Sequence, residues 1–141
     1  MKYVFDTSNT IQYRFPTHVN ELVLDREDAT TSEVFIVVLQ PGEAPPLHQH
    51  HDTEQIFYVL SGRGRLQIGE KGESYSVFPG NVVRVPPSTL HRIFSEGVEP
   101  LRYVAVDCFT AGRPASEPTW DEHVKVVCQN NGWQFEQVKR S

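Results

Sequence analysis

Short apolar stretches rich in Val, Ile, Phe and Tyr run from residue 33 to about 109, separated by Gly, Pro and Ser. This pattern is typical of packed β-strands. Seven strands are predicted, with the GEKG sequence at 69–72 as a hairpin loop, and so many short strands indicate a sandwich or small barrel. The predicted strands are 34–39, 56–60, 64–68, 74–78, 82–85, 91–95 and 101–107.

A helix is predicted after the strands, over about 119–131. Thr119-Trp-Asp-Glu122 has the S/T-x-x-E pattern of a helix N-terminus, and Asn131-Gly132 supplies a left-handed stop. Apolar residues recur between them at helical spacing: Trp120, Val124 and Val127. We expect this helix to pack on the barrel and to take no part in chemistry. Residues 1–30 have weak strand patterning and predict an outer strand, or an arm across a partner subunit.

Composition narrows the class of protein. The 141 residues match the length of one domain, and the formal net charge of −5, with no basic cluster, argues against nucleic acid or an anionic membrane surface as a partner. No apolar run reaches the 18 residues of a membrane span, and the first ten residues lack the apolar stretch of a signal peptide. A cytoplasmic protein is therefore expected, with Cys108 and Cys128 as free, buried thiols.

Histidines beside turn residues are the main functional clue. His48 and His50 lie in PPLHQHHD, and His91 ends PPSTLH. Side chains alternate in an extended segment, so His48 and His50 share a face while His51 points away. Two imidazoles on one face provide half of a metal site, although an H-x-H pair alone is equally typical of a polar surface. His18 and His123 are expected at the surface.

The spacing around these histidines resembles the two motifs of the cupin superfamily. The first reads Gly42-x5-His48-x-His50-x4-Gln55-x6-Gly62, and the second reads Gly80-x5-Pro86-x4-His91-x3-Ser95. The resemblance covers residues 36–107 and implies an all-β, double-stranded β-helix (jelly-roll) barrel. It also implies a divalent transition metal, Zn, Ni, Fe, Mn or Cu, held inside by four residues. These are His48, His50, Gln55 and His91.

The fourth ligand position departs from the family, which usually has Glu there. Glu54 is the better donor by chemistry, but Gln55 takes the position by spacing, and a slip of one residue would turn the ligand out of the barrel. The other departures are Ser88 for Gly and Ser95 for Asn. With Gln55, four neutral ligands leave the charge of the ion uncompensated, which favours Lewis-acid chemistry on an anionic or carbonyl substrate over oxygen chemistry.

The D-x-F-x3-R sequence at 107–113 resembles small cupins that open and ketonise unsaturated uronates. That resemblance implies Asp107 as general acid/base, Arg113 as a clamp for the substrate carboxylate, and Tyr103 and Phe109 as substrate-binding residues. Strand alternation also turns Tyr103, Asp107 and Phe109 inward. The residues alone equally accommodate Asp107 as a cap at a strand end and Arg113 as a solvated loop residue.

The leading hypothesis is a metal-dependent isomerase, lyase or tautomerase acting on a small sugar-like or keto-acid metabolite. The alternatives are a binding or sensor module and a metal-dependent dioxygenase. A homodimer is also expected, because Ile56, Tyr58 and Leu60 form an outward apolar row that needs a cover. The C-terminal helix is the competing cover for that row.

Overall fold

The computed structural model describes residues 1–140, which form ten strands in two antiparallel sheets. The strands are β1 (Ile11–Phe15), β2 (His18–Leu24), β3 (Ser32–Leu39), β4 (Thr53–Ser61), β5 (Gly64–Ile68), β6 (Glu73–Val77), β7 (Val82–Val85), β8 (His91–Ser95), β9 (Leu101–Phe109) and β10 (Lys139–Arg140). The larger sheet has the order β10-β1-β2-β3-β9-β4-β7, and the smaller has the order β6-β5-β8. The prediction of an all-β fold is confirmed.

The centre of the larger sheet, β3-β9-β4, positions the functional side chains. Burial alternates strictly along β9, as expected for a strand with one face on the core. Inward side chains of both sheets form one apolar core. All seven predicted strands are present, and β4 begins at Thr53 rather than 56, which brings Gln55 into the strand.

One glycine of the motifs is required by close packing between strands. Gly62, in the turn from β4 to β5, has φ of 81°, and a Cβ atom there would lie 2.4 Å from the backbone oxygen of Pro100. Since neither the conformation nor the space admits a side chain, only glycine fits. Ser88, which stands where the family has Gly, also has a positive φ, of 58°, and its N–H donates to the carbonyl of His50.

The N-terminal residues belong to the barrel of their own chain. β1 and β2 form a hairpin that extends the larger sheet beside β3, and β10 pairs with the outer edge of β1. The prediction of an outer strand is confirmed, and an arm across a partner subunit stays a prediction. Tyr13, Phe15 and Asn20 of this hairpin are buried.

The C-terminal helix begins and ends as predicted. Helix α1 (Trp120–Asn131) is capped by Thr119, whose hydroxyl accepts from the N–H of Glu122, and it stops at Gly132 with φ of 72°. A short helix, α2 (Phe135–Val138), follows. The hydroxyl of Tyr13 donates to Asp121 at 2.6 Å and ties α1 to β1. No helix of residues 1–140 is long and apolar enough to cross a membrane.

The outer face of the larger sheet carries an apolar patch. Residues in register across β3, β9, β4 and β7 form its central row: Ile36, Val104, Tyr58 and Val82. Tyr58 is 48% exposed and Val82 is 65% exposed, because α1 packs against the inner side of the sheet instead. The helix therefore does not cover the predicted row of Ile56, Tyr58 and Leu60, of which Tyr58 and Leu60 are exposed.

Candidate metal centre

Three histidine rings meet on one side of a cavity inside the barrel. His48 and His50 precede β4, and His91 is the first residue of β8. Reciprocal backbone hydrogen bonds of 3.2 and 2.9 Å join His48 to His91, so that one nitrogen of each ring lies within 4.8 Å of the others. His51 is exposed, with Nδ1 2.9 Å from Ser88 Oγ. Alternation in the extended segment therefore selects which rings join the cluster.

Backbone carbonyls fix the proton on two of these rings. Nδ1 of His48 lies 2.6 Å from the oxygen of Pro46, and Nδ1 of His91 lies 2.8 Å from the oxygen of Thr89. A carbonyl only accepts, so Nδ1 carries the proton and Nε2 keeps its lone pair. Burial lowers the pKa of all three rings, to about 3 for His50 and about 4 for His91. The neutral rings that a metal requires are therefore the stable form at neutral pH.

Gln55, rather than Glu54, faces this cluster. Gln55 is 5% exposed and lines the cavity, whereas the carboxylate of Glu54 turns outward and accepts from Arg84 Nε at 2.8 Å. The Gln55 amide donates through Nε2 to Asp107 Oδ1 at 2.8 Å, and its Oε1 lies 2.8 Å from Nε2 of His91. Asp107 thereby orients the amide with its oxygen toward the histidines.

The contact between Gln55 and His91 fits a shared cation. With its proton on Nδ1, His91 presents a lone pair at Nε2, and Oε1 of Gln55 presents lone pairs 2.8 Å away. Two acceptors at this distance repel each other unless a cation binds both. Three imidazole nitrogens and one amide oxygen form a mixed N/O set suited to a divalent transition metal. The residues present fit such an ion.

A buried polar row lies behind the cluster. Glu33, Asp107 and Gln55 are in register on β3, β9 and β4, and each is at most 6% exposed. Arg26 closes the row, since its guanidinium donates to both oxygens of Glu33 at 2.7 and 2.9 Å. Burial and a hydrogen bond with Asp107 raise the pKa of Glu33, although Arg26 opposes the shift. Burial therefore disfavours the charged form of Glu33, and the contact with Arg26 offsets part of that cost.

The residues predicted from the end of β9 separate into two groups. In the described part of the chain, the cavity wall includes Tyr103 and Asp107 but neither Phe109 nor Arg113. The Phe109 ring packs under the guanidinium of Arg26 at 4.9 Å, and Arg113 Nη1 donates to two backbone carbonyls of the 3-10 helix that carries Arg26, at 3.2 and 3.0 Å. Contrary to expectation, neither reaches the cavity. Phe109, at the end of β9, packs on Arg26, and the loop after β9 turns Arg113 back toward the 3-10 helix Arg26–Asp28.

The cavity has a volume of about 420 Å³ and two walls of different origin. We call the first the histidine wall; it consists of His48, His50, Gln55 and His91. We call the second the helix wall, because α1 and the segment before it supply most of its polar residues. It consists of Asn20, Glu117, Trp120 and His123. The helix, expected only to pack on the barrel, therefore lines the candidate site.

Two histidines expected at the surface also line this cavity. His18 stacks on Phe15 with ring centroids 4.6 Å apart. His123 lies 5.3 Å from the ring of Trp120, and its Nδ1 is 2.8 Å from Glu117 Oε1. A signal for His123 was present in the sequence, because the position three residues after Trp120 shares its helix face. His18 had no comparable signal.

Two antiparallel sheets around a histidine cluster define a jelly-roll barrel protein with a candidate metal centre. The cupin domain family matches residues 35–107, more than half of the chain. The chain therefore belongs to the cupin family, and the resemblance seen in its two motifs is confirmed. The match includes the three clustered histidines, Gln55 and Asp107, but neither the N-terminal hairpin nor helix α1.

Curated relatives agree with this assignment. Glucose-6-phosphate isomerase of Pyrococcus horikoshii is 27% identical over 135 residues, which cover 78% of this chain and 71% of the isomerase. An uncharacterised protein of Methanocaldococcus jannaschii is 34% identical over 65 residues, or 46% of this chain. Another relative is the mannose-1-phosphate guanylyltransferase RfbM of Salmonella typhimurium, 30% identical over 74 residues and 52% of this chain. The matches span 50% and 15% of the latter two relatives.

Solved structures agree in fold. The polyketide cyclase RemF of Streptomyces resistomycificus superposes with a TM-score of 0.66 at 22% identity, covering 81% of this chain and 82% of RemF. KdgF of a Halomonas species superposes with a TM-score of 0.63 at 20% identity, covering 76% of this chain and 94% of KdgF. At these identities the likeness establishes the cupin fold alone.

Proposed function

We propose that this chain is a metal-dependent enzyme of the isomerase, lyase or tautomerase type, acting on a small sugar-like or keto-acid metabolite such as an unsaturated uronate. One observation carries the proposal: the Gln55 amide donates to Asp107, and the oxygen of the same amide lies 2.8 Å from Nε2 of His91 in the cavity wall. The Asp107 carboxyl group therefore lies beside two atoms that can bind a metal ion, Oε1 of Gln55 and Nε2 of His91. The similarity to a glucose-6-phosphate isomerase supports sugar-like substrates.

The proposed ligand set suits charge stabilisation. His48, His50, His91 and Gln55 would hold the ion, and all four are neutral. When bound, such an ion supplies a Lewis acid that offsets negative charge on a substrate oxygen. The aromatic ring of Tyr103, 4.9 Å from that of Phe57, adds an apolar surface to the same cavity.

Asp107 is the residue proposed to move a proton. Ketonisation of an enol transfers one proton from oxygen to carbon, so a single group that accepts the first proton and delivers the second balances the reaction. The Asp107 carboxyl group lines the cavity, and its Oδ1 is held by Gln55. It is only 6% exposed, and this burial limits proton exchange with bulk water.

Metal content tests the first part of the proposal. We expect near-stoichiometric transition metal in the purified protein and almost none in the His48→Ala/His91→Ala variant, measured by elemental analysis. His51→Ala is the matched control, because this exposed ring bonds Ser88 outside the cluster and its loss leaves the metal in place. Wild-type protein that stays metal-free after reconstitution would contradict the proposal and favour a binding module. Bound iron with substrate-dependent oxygen uptake would favour a dioxygenase.

Asp107→Asn tests the second part. Asn retains an oxygen that can accept from Gln55, so the metal content stays unchanged, while turnover of an unsaturated galacturonate falls by about 10²- to 10⁴-fold. Loss of the ultraviolet absorption of the conjugated double bond follows the reaction. Unchanged turnover in a metal-loaded variant would eliminate Asp107 as the acid/base.

We also propose that two copies of the chain pair through the outer apolar patch of the larger sheet. The row that includes Tyr58 and Val82 is apolar across four strands, these two residues are exposed, and β7 is an edge strand. A second copy would remove this surface from water. Light scattering should give the mass of a dimer for the wild type and of a monomer for Tyr58→Glu. A monomeric wild type at micromolar concentration would refute the pairing.

A further inference from the structure

A buried indole N–H in the helix wall lacks a hydrogen-bond acceptor. Trp120 is 1% exposed, and its ring packs against those of Phe35, Tyr13 and His123. No acceptor within residues 1–140 reaches its Nε1. Buried indole N–H groups nearly always have a partner, since an unpaired one loses its hydration without compensation. Because Trp120 lines the cavity, a ligand bound there can supply the acceptor.

Asn20 presents a second unpaired group in the same wall. It faces inward on β2, in register with Tyr13 and Val37, and is 7% exposed. Its Oδ1 has no donor in the described part of the chain. A buried amide oxygen without a donor weakens folding, so its presence among apolar and aromatic neighbours needs another explanation. Tyr13 lies between the two groups. It is opposite Asn20 in the register of β1 and β2, and its ring centroid is 6.1 Å from that of Trp120.

The surroundings of these groups favour neutral hydroxyls over an anion. Glu117 adds a carboxylate to the wall, and the hydrogen bond with His123 holds the pKa of Glu117 below its usual value, which keeps the negative charge. The cavity also has aromatic faces suited to the C–H face of a ring. They belong to Phe15, Phe35 and Trp133. A polyhydroxylated ring fits these surroundings, because its hydroxyls can pair with the free donor and the free acceptor and its C–H face can pack on the aromatic rings.

We propose that Trp120 and Asn20 form a hydroxyl-binding subsite that orients a sugar acid in the cavity. The indole N–H donates to one ring hydroxyl, the Asn20 oxygen accepts from another, and the carboxylate of the ligand faces the histidine wall. The inference rests on the proposed function in taking a sugar acid as the ligand. The two unpaired groups do not belong to the histidine cluster, so the subsite can be tested separately from metal binding.

Binding of D-galacturonate, a saturated sugar acid, tests the subsite. The chain has two tryptophans, at 120 and 133, and each gives one indole N–H signal in the nuclear magnetic resonance spectrum of the zinc-reconstituted protein. The signal that disappears in Trp120→Phe is that of Trp120. We expect D-galacturonate to shift the Trp120 signal. Trp120→Phe and Asn20→Leu should each weaken binding about tenfold in calorimetry, the effect of one neutral hydrogen bond, with unchanged zinc content.

Thermal stability separates recognition from a structural role. Leu matches the apolar row around Asn20, so Asn20→Leu should melt at the same or a higher temperature than the wild type. Glu54→Gln is the control, because the Glu54 side chain turns outward to Arg84 and does not line the cavity, so the change should leave affinity unchanged. Unchanged affinity in both subsite variants would overturn the proposal. A metal-free wild type that retains the Trp120 shift and the tenfold losses would support the subsite and overturn the proposed function.

Discussion

The two walls of the cavity differ in how their polar groups are held. In the histidine wall, Pro46 and Thr89 carbonyls orient two rings, and Asp107 orients the Gln55 amide. In the helix wall, Trp120 Nε1 and Asn20 Oδ1 have no partner within residues 1–140. Donors fixed in advance suit an ion with strict geometry, whereas unpaired neutral groups suit a ligand that completes them on binding. The comparison supports the two proposals, in which one wall carries the chemistry and the other recognises the ligand.

The supports of the walls differ as well. A fully buried ion pair, Arg26 with Glu33, stands behind the histidine wall, with side chains 3% and 0% exposed. The helix wall is anchored by a half-exposed network, in which Asp121 accepts from Tyr13 and from Lys139 at 2.6 and 2.7 Å. An exposed ion pair contributes little to stability, whereas breaking a buried ion pair costs several kcal/mol because it leaves one charge buried without a partner. We therefore expect the histidine wall to be the more rigid of the two.

The largest effect should come from Glu33→Ala. This variant leaves the Arg26 guanidinium buried without its partner, so the free energy of unfolding should fall by about 3–5 kcal/mol in urea titrations. It should also loosen Asp107, which bonds Glu33 within the same row.

Glu54→Ala supplies the matched comparison. Glu54 pairs with Arg84 on the same sheet, but the side chains are 32% and 66% exposed. Its loss should cost about 0–1 kcal/mol. Equal losses of unfolding free energy in Glu33→Ala and Glu54→Ala would show that the buried ion pair supports the fold no more than the exposed one does.

A smaller effect is expected from Arg113→Ala. Arg113 braces backbone carbonyls of the 3-10 helix and does not line the cavity, so about 1 kcal/mol of stability should be lost, with D-galacturonate affinity unchanged. Calorimetry on the metal-loaded variant measures that affinity. A tenfold or larger weakening would restore Arg113 as a substrate clamp and require the loop after β9 to rearrange on binding.

Much of the histidine wall could be predicted from the sequence, because it depends on local alternation. A period of two along an extended segment sets His48 and His50 on one side and His51 on the other. The inward position of Gln55, with Glu54 outward, was predicted instead from the spacing of the motif that resembles the cupins. Helix α1 was equally readable, since Thr119 and Gly132 act within one turn of its ends.

The position of Arg113 depends on the path of a loop. Arg113 follows Gly112, which has φ of 81°, and a single turn of this kind redirects the chain without any trace in the hydrophobic pattern. Motif spacing therefore placed Asp107 in the cavity but could not follow the chain beyond the end of β9.

The sequence by itself determined that His48 and His50 share a face, and its resemblance to the cupin motifs added Gln55 and His91 to the histidine wall. Only the tertiary structure decided that Asn20 and Trp120, one hundred residues apart, line the same cavity as the metal-ready histidines. The reason is physical. Alternation and capping arise from neighbouring residues, whereas the docking of α1 on the N-terminal hairpin depends on the packing of apolar surfaces from distant parts of the chain.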